Sequence, residues 1–190
     1  MDSSTANSRK EIILDLFRTQ RFGEAKALGE ALCREQPRDA EAWHLLGVIE
    51  GSRGEVQAAE VCFRRAIEFF PDHLKAHRNL VQALMNQGKT QEAIASLQTV
   101  IRLDPQDTES HYRLGNLLYD ANDRGSAAAA YREVLRLNPE HAQAHNNLGA
   151  VYAEEERLAE AIACYHQTLT LKPDHVEAHY NLGRAYHVQG

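Results

Sequence analysis

Proline recurs in this chain at one fixed spacing. The five prolines stand 34 residues apart, at Pro37, Pro71, Pro105, Pro139 and Pro173. Chance does not produce such spacing, so the chain is an array of one supersecondary unit copied about five and a half times. With Pro71 at position 32 of the unit, the units span residues 6–39, 40–73, 74–107, 108–141, 142–175 and, incompletely, 176–190.

Other positions of the unit also keep one residue type. Position 7 is leucine, at Leu46, Leu80, Leu114, Leu148 and Leu182, and position 20 is alanine, at Ala25, Ala59, Ala93, Ala127 and Ala161. In the units from residue 40 onward, position 8 is glycine except at Val81. Apolar residues recur at helical spacing in each unit and are interrupted by a short polar segment, such as 86–89. Each unit is therefore predicted to be two antiparallel helices that cross closely at positions 8 and 20, with more open packing at Val81.

The repeat resembles the tetratricopeptide repeat (TPR) family, whose pattern is W-x2-L-G-x2-Y, then A-x3-F, then P. The matching residues are Trp43-x2-Leu46-Gly47, Leu148-Gly149-x2-Tyr152, Ala161-x3-Tyr165 and Pro173. The resemblance covers residues 6–190 and implies an all-α fold, a right-handed α–α superhelix in which antiparallel helix pairs form a single solenoid. Segment 145–149 looks most like the repeats of O-GlcNAc transferase and of bacterial TPR-containing transferases.

The first unit departs from the repeat. Residues 1–7 are polar and are predicted to form a disordered head. Ser8 and Glu11 have capping-box spacing, which predicts a late start of the first helix.

In later units, the predicted N-caps of the first helices are aspartates. They are Asp72 and Asp174, each of which follows the repeat proline.

The last unit is incomplete. A helix from residue 176 would leave Leu182, Ala185 and Tyr186 without a second helix to cover them. Because the end of a solenoid normally needs a polar cap, we expect weak self-association through this end and a longer parent protein.

Composition narrows the class of function. The net charge of -6 provides no basic footprint for nucleic acid. The chain has no secretory h-region and no apolar segment of the roughly 18 residues that span a bilayer. Cys33, Cys62 and Cys164 are expected to be reduced thiols, which predicts a cytoplasmic protein without membrane attachment. No catalytic, cofactor or metal motif appears, so the chain itself is predicted not to be an enzyme.

Histidine follows the repeat as well. Of the ten histidines, seven lie at positions 34 and 4: His73, His141 and His175, and His77, His111, His145 and His179. An i, i+4 pair can chelate a metal, but two ligands without a carboxylate or thiol make a weak site. We therefore interpret position 4, where Trp43 stands in the second unit, as structural, with a response to pH favoured over metal binding.

The resemblance implies a concave face formed by positions 2, 5, 6, 9, 12 and 13 of the first helices. Asparagine, tyrosine and arginine are frequent there, and such side chains suit a peptide backbone and interface anchors. The predicted groove residues are Lys75, Arg78, Asn79, Tyr112, Arg113, Asn116, Asn146, Asn147, Tyr180, Asn181 and Arg184. The resemblance implies that the ladder at position 6, Asn79, Asn147 and Asn181, contacts peptide backbone.

Binding of a C-terminal carboxylate, as in chaperone-binding members of the family, is disfavoured. Of the five places that hold the carboxylate there, Asn79 and Arg113 match, whereas Glu109 reverses a charge. The predicted function is therefore a protein–protein interaction module that binds an extended peptide or protein segment in its groove. The alternative is a substrate-recruiting N-terminal arm of a larger bacterial glycosyl-, sulfo- or methyltransferase.

Overall fold

The computed structural model describes residues 3–189, with side chains from residue 6 onward. Over this range the backbone forms eleven α-helices and no strand, which confirms the predicted all-α class. The helices form two compact units, residues 1–103 and 104–190. The first unit holds α1 Ser3–Arg18, α2 Phe22–Glu35, α3 Ala40–Ser52, α4 Val56–Phe69, α5 Leu74–Asn86 and α6 Thr90–Leu103. The second holds α7 Thr108–Asp120, α8 Arg124–Leu137, α9 Ala142–Glu154, α10 Leu158–Leu171 and α11 Val176–Gln189.

The helices keep the period of the sequence. The first helices α3, α5, α7, α9 and α11 begin at residues 40, 74, 108, 142 and 176, the starts of the predicted repeats. Within each compact unit, every helix packs against the next one in sequence. Whether all repeats form one continuous solenoid stays a prediction.

Position 34 caps each first helix. The side chains of Asp39 and Asp107 accept hydrogen bonds from the third backbone N–H that follows. His73, His141 and His175 do the same through Nδ1, at 3.4, 3.2 and 3.2 Å. An N-cap of this kind satisfies a backbone donor that the helix leaves unpaired.

The predicted caps Asp72 and Asp174 are therefore wrong by one residue. Each aspartate lies in the turn that follows the repeat proline, and the next residue, a histidine, reaches the helix start. Aspartate is the commoner capping residue in proteins, which is why the sequence pattern favoured it.

Position 15 turns the chain between the two helices of a repeat. Its backbone lies in the left-handed region, with φ of 59° at Gln20, 81° at Gly54, 69° at Gly88, 65° at Asn122 and 60° at Glu156. Glycine adopts this conformation without steric cost, whereas a side chain at this position is strained.

The predicted head differs from the structure. Helix α1 begins at Ser3 and runs through Ser8, so residues 3–7 are helical and the helix does not start late. Ala6 is buried in the core of the first compact unit, which explains why the helix extends beyond the capping-box signal. Met1 and Asp2 lie outside the described residues.

Glycine at position 8 faces an aromatic ring at position 24. A Cβ atom added to Gly47, Gly115 or Gly149 would lie 2.5, 2.6 or 2.7 Å from the ring of Phe63, Tyr131 or Tyr165. These distances are too short for real carbon atoms, so the ring requires the glycine. The crossing of the two helices thus depends on a matched pair of residues.

The repeat that contains Val81 uses a different pair. Position 24 is Leu97 there, and both Val81 and Leu97 are 1% exposed. A smaller partner makes room for the larger residue, and α5 and α6 approach each other less closely than the helix pairs of the glycine-containing repeats, in line with the more open packing predicted here. Ala93 and Ala127 are fully buried, as their place at the helix crossings predicted.

Helix α11 is covered in part. Ala185 is 3% exposed and joins the core of the second compact unit, which corrects the expectation that it is uncovered. Tyr186 remains half exposed, although its hydroxyl lies 2.9 Å from Nε2 of His166 on α10. The most exposed apolar side chains of α11 are instead Val176, Val188 and Tyr180.

No helix within residues 3–189 is long and apolar enough to cross a lipid bilayer.

Candidate peptide-binding groove

In the second compact unit, polar side chains of α7 and α9 form a hydrogen-bonded cluster. Tyr131 donates its hydroxyl proton to Oδ1 of Asn116 at 2.8 Å. The amide nitrogen of Asn147 lies 3.1 Å from the same oxygen and 3.3 Å from the hydroxyl of Tyr112. These contacts hold two first helices and one second helix together.

Asparagine at position 6 has a constant partner. Asn79, Asn147 and Asn181 each contact the side chain at position 5 of the preceding repeat, 35 residues earlier. Nδ2 of Asn181 lies 3.5 Å from Oδ1 of Asn146, and Nδ2 of Asn79 lies 3.1 Å from Nε2 of His44. The predicted asparagine ladder therefore links adjacent first helices, in addition to any contact it makes with a ligand.

Two cavities open on the first helices of the second compact unit. The larger, about 620 Å³, is lined by Tyr119, Ala150, Ala153, Glu154, Glu156, Leu158, Tyr165, Glu177, Asn181, Arg184, Ala185 and Val188. The smaller, about 310 Å³, shares Tyr119, Ala150 and Glu177 with it and also includes Asn116 and Asn147. We call these two cavities together the α7–α11 groove. Its floor is apolar and its walls carry charged and amide groups, a combination that suits a peptide.

Tyr119 and Glu154 form a fixed polar wall of the groove. The hydroxyl of Tyr119 and the guanidinium of Arg124 both donate to the Glu154 carboxylate. Burial, followed by the hydrogen bond to Glu154, raises the pKa of Tyr119 to about 12, so the hydroxyl keeps its proton. Arg124 also lies 4.0 Å from the centre of the Tyr119 ring. Neither Tyr119 nor Glu154 is among the predicted groove residues, although their positions in the repeat, 12 and 13, belong to the predicted concave face.

The first compact unit has a smaller opening of its own. A cavity of about 260 Å³ lies between α3 and α5, and its lining includes Val48, Asn79 and Gln82. Lys75 and Arg78 are exposed on α5 and are not among its lining residues.

The predicted groove residues thus separate into three groups. Asn79, Asn116, Asn147, Asn181 and Arg184 line the cavities described above. Lys75, Arg78, Tyr112, Arg113 and Tyr180 are exposed or half-buried outside these linings. Asn146 is only 1% exposed, so its prediction as a ligand contact is wrong. Its side chain is buried because it bonds to Asn147 and Asn181 instead of facing solvent.

A second cluster joins α3 to the cap of α5. Nε2 of His73 lies 3.2 Å from the Glu41 carboxylate, and Nδ1 of His44 lies 3.7 Å from it. The centres of the two imidazole rings are 4.8 Å apart. The histidines, His44 more than His73, lower the pKa of Glu41 to about 2 against the opposing effect of burial. We call Glu41, His44 and His73 the imidazole–carboxylate cluster.

The three cysteines are free thiols. Burial raises the pKa of Cys33 to about 12 and that of Cys62 and Cys164 to about 11. A thiol that keeps its proton at neutral pH is a poor nucleophile, so these side chains act as packing groups.

Comparison with known proteins agrees with this architecture. The TPR-domain model of cytochrome c-type biogenesis protein H matches residues 25–137, more than half of the chain. Two further tetratricopeptide repeat models match residues 112–165 and 151–190. The PEX5-related proteins of Homo sapiens and Mus musculus are both 39% identical, over 59 and 57 residues, or 31% and 30% of this chain. The chain covers only 9% and 10% of the length of these two relatives.

Several solved structures have the same fold as this chain. YrrB, described as a TPR protein with an unusual peptide-binding site, superposes with a TM-score of 0.81 at 21% identity, over 90% of this chain and 88% of its own. A MamA protein superposes with a TM-score of 0.76 at 24% identity, over 82% of this chain and 85% of its own. MamA from Desulfovibrio magneticus RS-1 gives 0.76 at 20% identity, over 90% of this chain and 97% of its own. These structures confirm the TPR solenoid fold, and with the matching family models they show that the chain belongs to the tetratricopeptide repeat family.

Proposed function

We propose that this chain is a protein-interaction module that holds an extended peptide or protein segment in the α7–α11 groove. The carrying observation is the cavity of about 620 Å³, in which an apolar floor meets Asn181, Arg184 and Glu177. A pocket of this size accommodates one or two peptide side chains. The unusual peptide-binding site described for YrrB, which has the same fold, is in line with this proposal.

Asn181 and Arg184 are the residues best placed to contact the segment. Nδ2 of Asn181 donates one long hydrogen bond, 3.5 Å, to Asn146, so its amide offers further donor and acceptor capacity to a peptide backbone. Arg184 is exposed on the same face, one helical turn later, and offers a charge to a carboxylate or carbonyl oxygen. Asn147, by contrast, uses both amide hydrogens to hold α7.

This difference decides the design of the test. Truncating Asn147 would weaken the protein as well as the groove, whereas truncating Asn181 and Arg184 leaves the cluster around Asn116 intact. We would first select binders for the full chain from a random peptide library. The affinity of one selected peptide would then be measured by calorimetry for wild type and for the double variant Asn181→Ala/Arg184→Ala.

The double variant should bind at least about tenfold more weakly, because it loses a backbone hydrogen bond and a charged contact. Arg136→Ala on the outer helix α8 is the matched control, since it removes an arginine whose side chain is 60% exposed away from the groove. Its affinity should equal that of wild type, and circular dichroism should show all variants folded. Equal affinity of wild type and the double variant would place the binding surface elsewhere.

A further inference from the structure

We infer that Glu41, His44 and His73 form a binding site for a divalent transition-metal ion, with Zn²⁺ as the reference ion. The inference does not depend on the proposed peptide function. In the described part of the chain, these are the three metal-ligating side chains whose ligand atoms come together, all within 4.8 Å of one another. They come from different elements, α3 and the cap of α5, so only the folded repeat assembles them.

The distances are close to those of a metal centre. Ligand atoms bound at about 2.0–2.2 Å around a tetrahedral ion lie somewhat more than 3 Å apart. Nε2 of His73 lies 3.2 Å from Oε2 of Glu41, and Nδ1 of His44 lies 3.7 Å from the other carboxylate oxygen, Oε1. Glu41 is the mobile member, because its side chain is 46% exposed whereas those of His44 and His73 are 8% and 9% exposed. The three ligand atoms lie within 4.8 Å of one another, so a rotation of Glu41 together with a small shift of the imidazole rings would close the site around an ion.

Nδ1 of His44 is the second, independent observation. Among the described side chains, it is one of two buried nitrogen atoms without a hydrogen-bond partner. A buried polar atom without a partner is uncommon and costly, so it calls for an explanation. This atom faces Glu41, and an ion there would give it a partner.

The other ring nitrogen of His44, Nε2, already has a polar partner. Nε2 lies 3.1 Å from the side-chain amide of Asn79. The orientation of an asparagine amide is an assignment, so its oxygen can accept a hydrogen bond from a protonated Nε2. That arrangement leaves the lone pair of Nδ1 directed at the ion, and such an outer partner typically orients a ligating histidine.

Metal binding would compete with the cap of α5. Nδ1 of His73 accepts from the N–H of Ala76 at 3.4 Å, the longest of the three histidine caps. Ligation through Nε2 puts the ring proton on Nδ1, so the hydrogen bond to Ala76 is lost when the ion binds. The lost cap lowers the binding constant by a factor on the order of ten.

The donor set selects the class of ion. Two imidazole nitrogens and one carboxylate oxygen suit Zn²⁺, Ni²⁺ or Cu²⁺, whereas Mg²⁺ and Ca²⁺ prefer oxygen ligands. Three protein ligands leave a coordination position open for water or for a group of a bound molecule.

The second compact unit provides a matched control. The residues that correspond to Glu41, His44 and His73 there are Glu109, Tyr112 and His141. The ring centres of Tyr112 and His141 are 4.8 Å apart, as those of His44 and His73 are, but a tyrosine replaces the second imidazole. This place has the same shape without the three ligands, so the proposal assigns no ion to it.

The test is a titration of the full chain, without an affinity tag, with Co²⁺ followed by visible absorption, and then with Zn²⁺ as competitor. Wild type should bind one Co²⁺ per chain in a saturable manner, and Zn²⁺ should displace it. His44→Asn copies the asparagine found at Asn146, and His73→Asn keeps a capping side chain. Each variant should weaken binding at least tenfold, and Glu41→Gln should weaken it in the same direction.

His141→Asn is the control, and it should leave the affinity within about twofold of wild type. Circular dichroism shows whether each variant is folded, and Glu41→Gln keeps both the size of the side chain and the cap of α5. The absence of saturable Co²⁺ binding in wild type would overturn the proposal. So would an equal loss in His141→Asn and His73→Asn, because the ion would then bind scattered histidines.

Discussion

Nε2 of His145 lies 2.9 Å from the carbonyl oxygen of Pro139, in the turn that precedes α9. The same contact recurs 34 residues apart: His77 to Pro71 at 2.8 Å, His111 to Pro105 at 3.2 Å and His179 to Pro173 at 2.8 Å. In the second unit, the indole N–H of Trp43 donates the same hydrogen bond to the carbonyl oxygen of Pro37, also at 2.8 Å. Histidine at position 4 therefore replaces tryptophan and keeps its N–H donor, which is a structural role.

This relationship predicts how position 4 tolerates change. His145→Trp keeps a ring N–H that can reach Pro139 and should leave the free energy of unfolding unchanged or higher. His145→Phe keeps a ring but removes the donor, and should lower it by about 0.5–1.5 kcal/mol. Urea denaturation of the two variants separates the hydrogen bond from the size of the ring. Equal stability of both would show that the ring alone matters.

The glycine–aromatic pairing predicts a coupled effect. Gly149→Val puts a Cβ atom where Tyr165 lies 2.7 Å away and should destabilise the protein by about 1–3 kcal/mol. Adding Tyr165→Leu copies the natural pair Val81 and Leu97 and should recover part of that loss. A thermodynamic cycle of the four proteins should give a coupling energy of about 0.5–3 kcal/mol. Purely additive effects would contradict the matched-pair interpretation.

The left-handed turns predict a stabilising substitution. Glu156 has a φ of 60°, a conformation that costs an L-residue roughly 1–2 kcal/mol and costs glycine nothing. Glu156→Gly should therefore raise the melting temperature, by an amount reduced by the greater entropy of glycine in the unfolded chain. The reciprocal change Gly88→Glu, at a φ of 69°, should lower it. Melting curves from circular dichroism compare both with wild type, and a lower melting temperature for Glu156→Gly would disprove the strain.

The cap of α5 predicts a dependence on pH. Burial, then the nearby His44, lowers the pKa of His73 below 6.5, while Glu41 acts in the opposite direction. The unfolded chain therefore takes up the proton first, so the stabilising contribution of His73 is complete above about pH 6.5 and is lost as pH falls below it. His73→Asn keeps a cap that does not titrate.

Stability measured by urea denaturation should thus decline less steeply for His73→Asn than for wild type between about pH 7 and 5. The comparison is made in the presence of a chelator, so that bound metal does not contribute. His141→Asn serves as the control for a changed cap in another repeat. Parallel curves for wild type and His73→Asn would show that this imidazole does not carry the effect.

Much of the fold was predictable because the same packing of two antiparallel helices recurs in every repeat. The starts of α3, α5 and the later first helices, and the burial of Ala93, follow from spacing and residue size. The eleven residues predicted for the groove all lie on the first helices α5, α7, α9 and α11 for the same reason. The caps were misplaced by one residue because histidine is an unusual capping side chain, which only its hydrogen bond to the helix reveals.

The sequence by itself determined the period, the helix pairs and the small residues at their crossings, since these depend on contacts between residues near in sequence. Only the tertiary structure decided that Asn146 is buried while Asn147 lines a cavity. It alone brought His73 to Glu41, 32 residues away. Such contacts between successive repeats depend on the rotation of each helix and on the rotamers that neighbouring side chains leave open, and a helical period does not specify either.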